Sequence, residues 1–553
     1  MLADMPQRSR HEDRRARVRP ALGMLFPAAP EKATARRAWS AAVQCAAVCA
    51  GVVVLLARVR GVPAWNCVYA EDYGIFLVQA LQHPWHLLIP YHGYLQFLPR
   101  LIGQAVSLLP LTEAAAGFAV AGAVIAAGCA LFTYHASAGF IRSPALRAVL
   151  AAALILLPVA PLEVVGNGVN TPWYILAALF WAVLWRPRTP AGMAVAAVIG
   201  FAATSSDPVA AVYAPLLVIR VIALPRLREH AVTAGWLAGW LPQVVVIARS
   251  YADHTQRLGT LSPPGKTIAY YFHTVVLRAL GWHLSWRLES VAGQEGATLI
   301  IGAFLAVILG WAVITQGGRV RVFVLTAVLT GFVFTVFAAA ITSYVVYESP
   351  FTGRVSFEPG SRYSVVPIVL LDAAAIVAVD SLLARRRAPA AGPREIAAVA
   401  ALIGVLGLGW VTDYRYLTQR TSDGRWAPVA ASWLHACQHS RTGTLAIPAW
   451  GTRPAVTVPC RRIQQLGTLF AGLETIWLSR YVRLSDARRE GKVGDETATE
   501  GRSRRPRGRG RSRAHRVLVG LRHRHRARQG RARYRDARRQ HGGCRCHGPH
   551  IPA

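Results

Sequence analysis

Long apolar runs separated by short polar connections dominate the chain. Eleven of these runs approach membrane-spanning length: 39–57, 113–139, 145–160, 170–185, 191–205, 209–224, 231–248, 296–314, 322–342, 364–381 and 395–412. A helix crossing the hydrocarbon core needs about 20 apolar residues. Backbone exposed to lipid must satisfy its hydrogen bonds internally, so each run is predicted to be an α-helix. The expected fold class is an all-α polytopic membrane protein with about eleven transmembrane helices.

The connections sort into two sets. One set is short and basic: the leader, Arg142 and Arg147, Arg186 and Arg188, Arg220 with Arg226 and Arg228, Arg319 with Arg321, and Arg385–Arg387. Positive charge in short loops marks the cytoplasmic side. The other set, 58–112, 161–169, 206–208, 249–295 and 342–363, is mostly longer, aromatic and mixed in charge, and is expected outside. An odd number of spans then leaves the N-terminus in the cytoplasm of a plasma (inner) membrane protein and places everything after Asp413 on the extracytoplasmic face.

Composition supports this reading. The 553 residues are 53% hydrophobic and 16% charged, with a mean hydropathy of +0.32. The net charge of +35 points to nucleic acid only until it is located. Much of it lies in 486–553, as in "GRSRRPRGRGRSRAHR", and more in the basic leader 1–38, which lacks a cleavage site and leads into an uncleaved first span. The tail has too few apolar residues for a core and is expected to be disordered; we read it as the product of a shifted reading frame. Between the membrane part (39–412) and the tail, 413–485 alternates a helix-like stretch, "RWAPVAASWLHACQHS", with strand-like ones, "TLAIPAWGTRPAVTVPC". It reads as a small extracytoplasmic α/β segment. Cys437 and Cys460 fall within it, on the side where disulfides persist, and are predicted to pair.

Polar chemistry is concentrated in the outer loops. The first, 58–112, contains "AEDYGIFLVQAL", in which Glu71 and Asp72 precede apolar positions that suit a helix lying at the membrane surface. One acid can cap a helix; two adjacent acids cannot both cap the same one. His92, Tyr94 and Arg100 follow in "YHGYLQFLPR", where the aromatics also suit interface anchors. The second outer loop, "PLEVVGNGVNTPWY", offers Glu163, Asn167, Asn170 and Trp173, either as ligand contacts or as a turn held by its own amides. "SSDP" places Asp207 before a proline as a turn residue. "YESPFTGRVSFEPGSRY" adds Arg354, Arg362 and Tyr363, whose guanidinium groups suit a phosphate or the neighbouring glutamates. Asp372 falls inside a span, where an interhelical hydrogen bond is expected to satisfy it.

Taken in order, the acidic pair after the first span, "GYLQFLPR", "LEVVGNGVNTPWY", "SSDP" and "SRYSVVP" resemble bacterial, in particular actinobacterial, membrane glycosyltransferases of the GT-C superfamily over about residues 38–470. That resemblance implies transfer of a sugar from a polyprenyl-phosphate donor to an envelope glycan, lipid or protein acceptor on the outer face. It also implies an acidic base in the first outer loop, which maps onto Glu71 or Asp72, facing water beside a lipid-borne substrate. A carboxylate can take the proton of an acceptor hydroxyl, and Arg100, Arg354 or Arg362 can meet the departing phosphate, with inversion in a single displacement. His92, Tyr94, Glu163, Asn167, Asn170, Trp173 and Tyr363 are the candidate substrate contacts. Members of the superfamily differ in divalent-metal use, so no metal site is carried over. Two rival readings are a transporter or lipid flippase, which requires several ionisable residues at mid-membrane, and a non-catalytic membrane scaffold for envelope assembly.

Overall fold

The apolar runs do form helices. The computed structural model describes residues 22–28, 37–69, 71–252, 263–341, 361–385, 393–415, 425–440, 442–447 and 455–465. Arg354, most of the leader and the basic tail lie outside these described residues. The first helices are α1 (Arg37–Ala57), α2 (Phe97–Val106), α3 (Ala114–Ala136) and α4 (Pro144–Leu156). They are followed by α5 (Thr171–Leu184), α6 (Pro190–Ser206), α7 (Ala214–Ala223) and α8 (Ala231–Ala252). The last long helices are α9 (Trp282–Thr315), α10 (Gly318–Ile341), α11 (Arg362–Arg385) and α12 (Pro393–Thr412). Among the described residues, five helical stretches are long and apolar enough to cross a membrane by length and composition, and six more apolar helices have 10–17 residues. The protein is thus helical and polytopic in character, and the number eleven stays an expectation.

Local sequence explains several helix starts. Ser143 and Thr189 each precede a proline at the first helical position, and their hydroxyls accept from the N–H of Leu146 and Gly192. α5 is buried at every residue. A helix that is apolar all round belongs in the interior, and α5 is the centre of the bundle. α11 is also interior: Val365, Val366 and the residues from Ile368 through Val379 are buried, among them Asp372, to which the described residues give no hydrogen bond. Among the described residues no partner makes the interhelical bond expected for Asp372. α6 and α8 meet backbone to backbone, because a Cβ on Gly235 would lie 2.0 Å from the Ala197 carbonyl oxygen and one on Gly200 2.6 Å from that of Val232. Small residues at such a crossing let helices approach closely without a hydrophobic driving force.

Loops assigned to one set contact one another. On the basic side, Asp380 accepts from the backbone N–H groups of Arg142 and Ser143 at 2.8 and 2.9 Å. Arg186 pairs with Glu229 at 2.5 Å and reaches the Phe26 carbonyl at 3.5 Å, while the Arg220 guanidinium stacks over the Phe26 ring at 5.6 Å. On the other side, buried Arg58 donates to the carbonyls of Ile155, Leu157 and Tyr414 at 2.5, 2.9 and 3.3 Å. Asp413 accepts from the Trp282 and His283 amides at 2.6 and 3.2 Å.

A second apolar core covers the first outer loop. α13 (Trp426–His439), the antiparallel strands β1 (Thr444–Ile447) and β2 (Val456–Pro459), and α14 (Cys460–Gln465) form the appended segment. In the strand register Thr444 faces Pro459 and Ile447 faces Val456. A disulfide joins Cys437 to Cys460, with Cα atoms 5.2 Å apart. Trp426 donates its indole N–H to the Leu111 carbonyl at 2.7 Å, and its ring lies 6.1 Å from that of Tyr73. This contact changes the reading of residues 71–81. They form a π-helical turn, Asp72–Leu77, leading into a short α-helix, and Ile75, Phe76, Val78 and Leu81 are buried against protein instead of lying in lipid. α9 differs as well: it begins fourteen residues before the expected span at 296 and bends at Gly293, where φ is 71°.

Candidate active site

Glu71 and Asp72 are neighbours in sequence with opposite environments. Asp72 is fully buried, and its two carboxylate oxygens accept the backbone N–H groups of Gly168 and Val169 at 2.9 and 2.8 Å. It ties the first outer loop to the second and does not face water, contrary to the expectation for the pair. The second loop is pressed tightly at this point. A Cβ on Gly168 would lie 2.8 Å from the Phe118 ring and 3.2 Å from Asp72, and one on Gly122 would lie 2.3 Å from the Asn167 carbonyl oxygen. Glu71 is half-buried, and its carboxylate makes no capping bond. Arg362 lies within electrostatic range of it.

Arg362 opens α11, and the second outer loop sets its position. Glu163, 2% exposed, accepts from the Arg362 backbone N–H at 3.0 Å and from the Ser361 hydroxyl at 3.1 Å, so it caps a helix almost 200 residues away. Its other oxygen lies 3.8 Å from the Arg362 guanidinium. The Glu163 main-chain carbonyl accepts both side-chain amides, of Asn167 at 2.5 Å and of Asn170 at 3.0 Å. Asn170 in turn accepts from the Trp173 indole N–H at 3.3 Å, and the Trp173 ring meets that of Tyr363 edge-on at 5.0 Å. Asn167 and Asn170 therefore hold the turn, as the simpler of their two readings required, and Trp173 buttresses Tyr363.

The remaining walls come from elsewhere in the chain. Gln243 of α8 accepts the Leu95 N–H at 2.7 Å and Ser206 the Leu98 N–H at 3.0 Å, which fixes the stretch carrying Tyr94. Asp207, immediately after Ser206, has Tyr94 and Arg362 as electrostatic neighbours. Burial pushes its carboxyl up from 3.8 to about 6, opposed by the Val209 N–H it accepts and by Arg362. Tyr69 also lies within electrostatic range of Arg362. Arg362 thus contacts Glu163 of the second loop and its neighbour Tyr363, and lies within electrostatic range of Glu71 and Tyr69 of the first loop and of Asp207 at the end of α6.

Two predicted contacts are placed differently. Arg100 is 5% exposed, donates to Gln79 at 2.7 Å and to the Pro90 carbonyl at 3.4 Å, and stacks over Phe76 at 5.7 Å. Burial lowers its pKa to about 10, which leaves it charged at neutral pH. Its partners belong to the first loop itself, so it braces that loop. His92 is exposed at the tip of a two-residue turn, with φ of 51° there and 79° at Gly93, between the paired Tyr91 and Tyr94. That is the left-handed pair a type I′ turn needs. Tyr69, Ser361 and the loop-pinning Gln243 carry no pattern in the sequence that marks them. Asp207 has one, an acid at an outer helix end, which a turn also explains.

No family model and no curated protein matches the chain. Among solved structures, the mycobacterial arabinofuranosyltransferase AftD, determined by single-particle electron cryo-microscopy, is similar over 79% of this chain and 33% of that one, with 16% identity and a TM-score of 0.38. The chain therefore spans about a third of that protein's length.

Proposed function

We propose that the chain is a membrane glycosyltransferase, transferring a sugar from a polyprenyl-phosphate carrier to an envelope acceptor, with Glu71 as its general base. The observation supporting this reading is a half-buried carboxylate with no capping bond, within electrostatic range of Arg362, whose backbone N–H and guanidinium Glu163 meets. As the acceptor oxygen attacks the anomeric carbon, Glu71 takes its proton. The bond from that carbon to the phosphate oxygen breaks, and its electron pair leaves with the phosphate. Arg362 stabilises the charge developing there, and Arg354 is the proposed second cation. A single displacement inverts the anomeric centre. Asp72 shapes the loop and takes no proton.

The test is turnover of purified Glu71→Gln in nanodiscs with a polyprenyl-phosphate sugar. General-base loss is expected to lower turnover by about 10²–10⁴-fold, with an unchanged melting temperature. Wild-type turnover in Glu71→Gln would overturn the mechanism. A chain that transfers no pentose or hexose from such a carrier would overturn the function.

A further inference from the structure

The solvent side of α13 carries a pair of side chains that the candidate active site does not use. Trp426, Ala430, Trp433 and Cys437 bury one face of this helix, and His435 and His439 stand exposed on the opposite face, one turn apart. Residues at this spacing are neighbours on a helix surface, and the two imidazole rings lie 4.4 Å apart with their planes tilted by 37°. The His439 Nδ1 meets the His435 main-chain carbonyl at 2.9 Å. A carbonyl only accepts, so Nδ1 carries the proton, and in the neutral ring the lone pair sits on Nε2. Metal-ligating histidines are held in this way, with the other ring nitrogen donating to a carbonyl or carboxylate. Among the described residues no hydrogen bond engages the Nε2 of either ring. The helix is also fixed where the pair stands. Cys437, between the two histidines, is joined to Cys460, and Ser440 just beyond them donates to the Thr444 carbonyl at 2.8 Å. Left to themselves, two imidazoles at this spacing repel whenever both are protonated.

We infer that His435 and His439 form a two-imidazole chelate for a divalent transition metal ion of the Zn²⁺, Ni²⁺ or Cu²⁺ class, with His439 ligating through Nε2. Imidazole suits these ions, whereas Mg²⁺ and Ca²⁺ call for oxygen ligands. Among the described residues no group of three or more His, Cys, Asp or Glu side chains is placed to hold an ion, so the remaining coordination positions are open to water or to a donor from outside the chain. A cation at this end of α13 also complements the carbonyls of its last turn. The site is independent of the glycosyltransferase reading.

The experiment is equilibrium dialysis against Cu²⁺ of the full-length protein in phosphatidylcholine nanodiscs, without a histidine tag, as wild type, His435→Ala and His439→Ala. The chain has other potential ligands, Cys544, Cys546 and His547 among them, but these are common to all three proteins, so the difference between proteins is what counts. Wild type is expected to bind one equivalent that both variants lose. Loss of an outer-shell partner alone weakens a metal site about 10- to 100-fold, so removing a ligand should weaken this equivalent by at least about 10-fold. Metal-free melts of the three should coincide, because both side chains are exposed. Equal Cu²⁺ binding by all three proteins would overturn the inference, and so would loss in only one variant, because a chelate needs both rings.

Discussion

At the scale of single residues, the lesson is in two adjacent acids. Glu71 and Asp72 look equivalent in sequence, and what separates them is a pair of amides 96 and 97 positions away. No local pattern announces that partner, so the sequence indicates an acidic site without saying which acid is free. Asp72→Asn replaces one acceptor oxygen with an NH₂ group facing the Gly168 or Val169 N–H. A lost hydrogen bond to a charged acceptor is worth about 1.5–3 kcal/mol, so this variant should melt lower, in contrast to Glu71→Gln; an unchanged melt would show that Asp72 does not hold the loops together. Asp207 gives a pH signature. Its folded-state value near 6 exceeds the ordinary 3.8, so between about pH 4 and 6 the native chain holds a proton that the unfolded chain has released. Stability from this group is complete below pH 4 and falls as pH rises through 6, with Arg362 and Tyr94 the charged and titratable groups facing it. The difference in melting temperature between wild type and Asp207→Asn should therefore shift in favour of the variant across that window. A difference constant from pH 4 to 7 would contradict it.

At the scale of elements, periodicity and length located the helices because a membrane imposes both. Helices α3, α5, α6, α8, α10, α11 and α12 lie within several residues of the apolar runs that predict them, Trp426–His439 is helical, and Thr444–Ile447 and Val456–Pro459 are strands. The failures occur where protein replaces lipid. Residues 71–81 have an apolar face that suits a membrane surface equally well, and only the Trp426 helix, encoded some 350 residues later, determines what covers it. Helix contacts were less legible than helix positions, since a glycine at a crossing looks like any other glycine. Gly235 and Gly310 make the point. A Cβ on Gly235 meets the Ala197 backbone, whereas one on Gly310 meets nothing within 4 Å. Gly235→Ala should part α6 from α8 and destabilise the fold by about 1–3 kcal/mol, the usual range for overpacking, while Gly310→Ala should be neutral in the same thermal melts. Equal behaviour of the two would mean that the α6–α8 crossing is not tight.

At the scale of the whole molecule, the two sets of loops keep to themselves: Asp380 meets Arg142, Glu229 meets Arg186, Asp72 meets Gly168, and Glu163 meets Arg362. This segregation agrees with the charge asymmetry and predicts which side is which. With Cys45, Cys49, Cys544 and Cys546 replaced by serine, a cysteine at exposed Trp286 should react with a membrane-impermeant maleimide in intact cells, and one at Arg226 should not; the opposite labelling would invert the proposed orientation. The clasp around Arg58 has a consequence for how such a chain is made. Arg58 leaves the ribosome with the first helix, yet one of the carbonyls that receive it belongs to Tyr414, 356 positions downstream. During synthesis that guanidinium meets the Ile155 and Leu157 carbonyls early but waits for its last acceptor through the insertion of every later helix. A message cut short before codon 414 would release a product whose earliest helix still carries an incompletely satisfied charge.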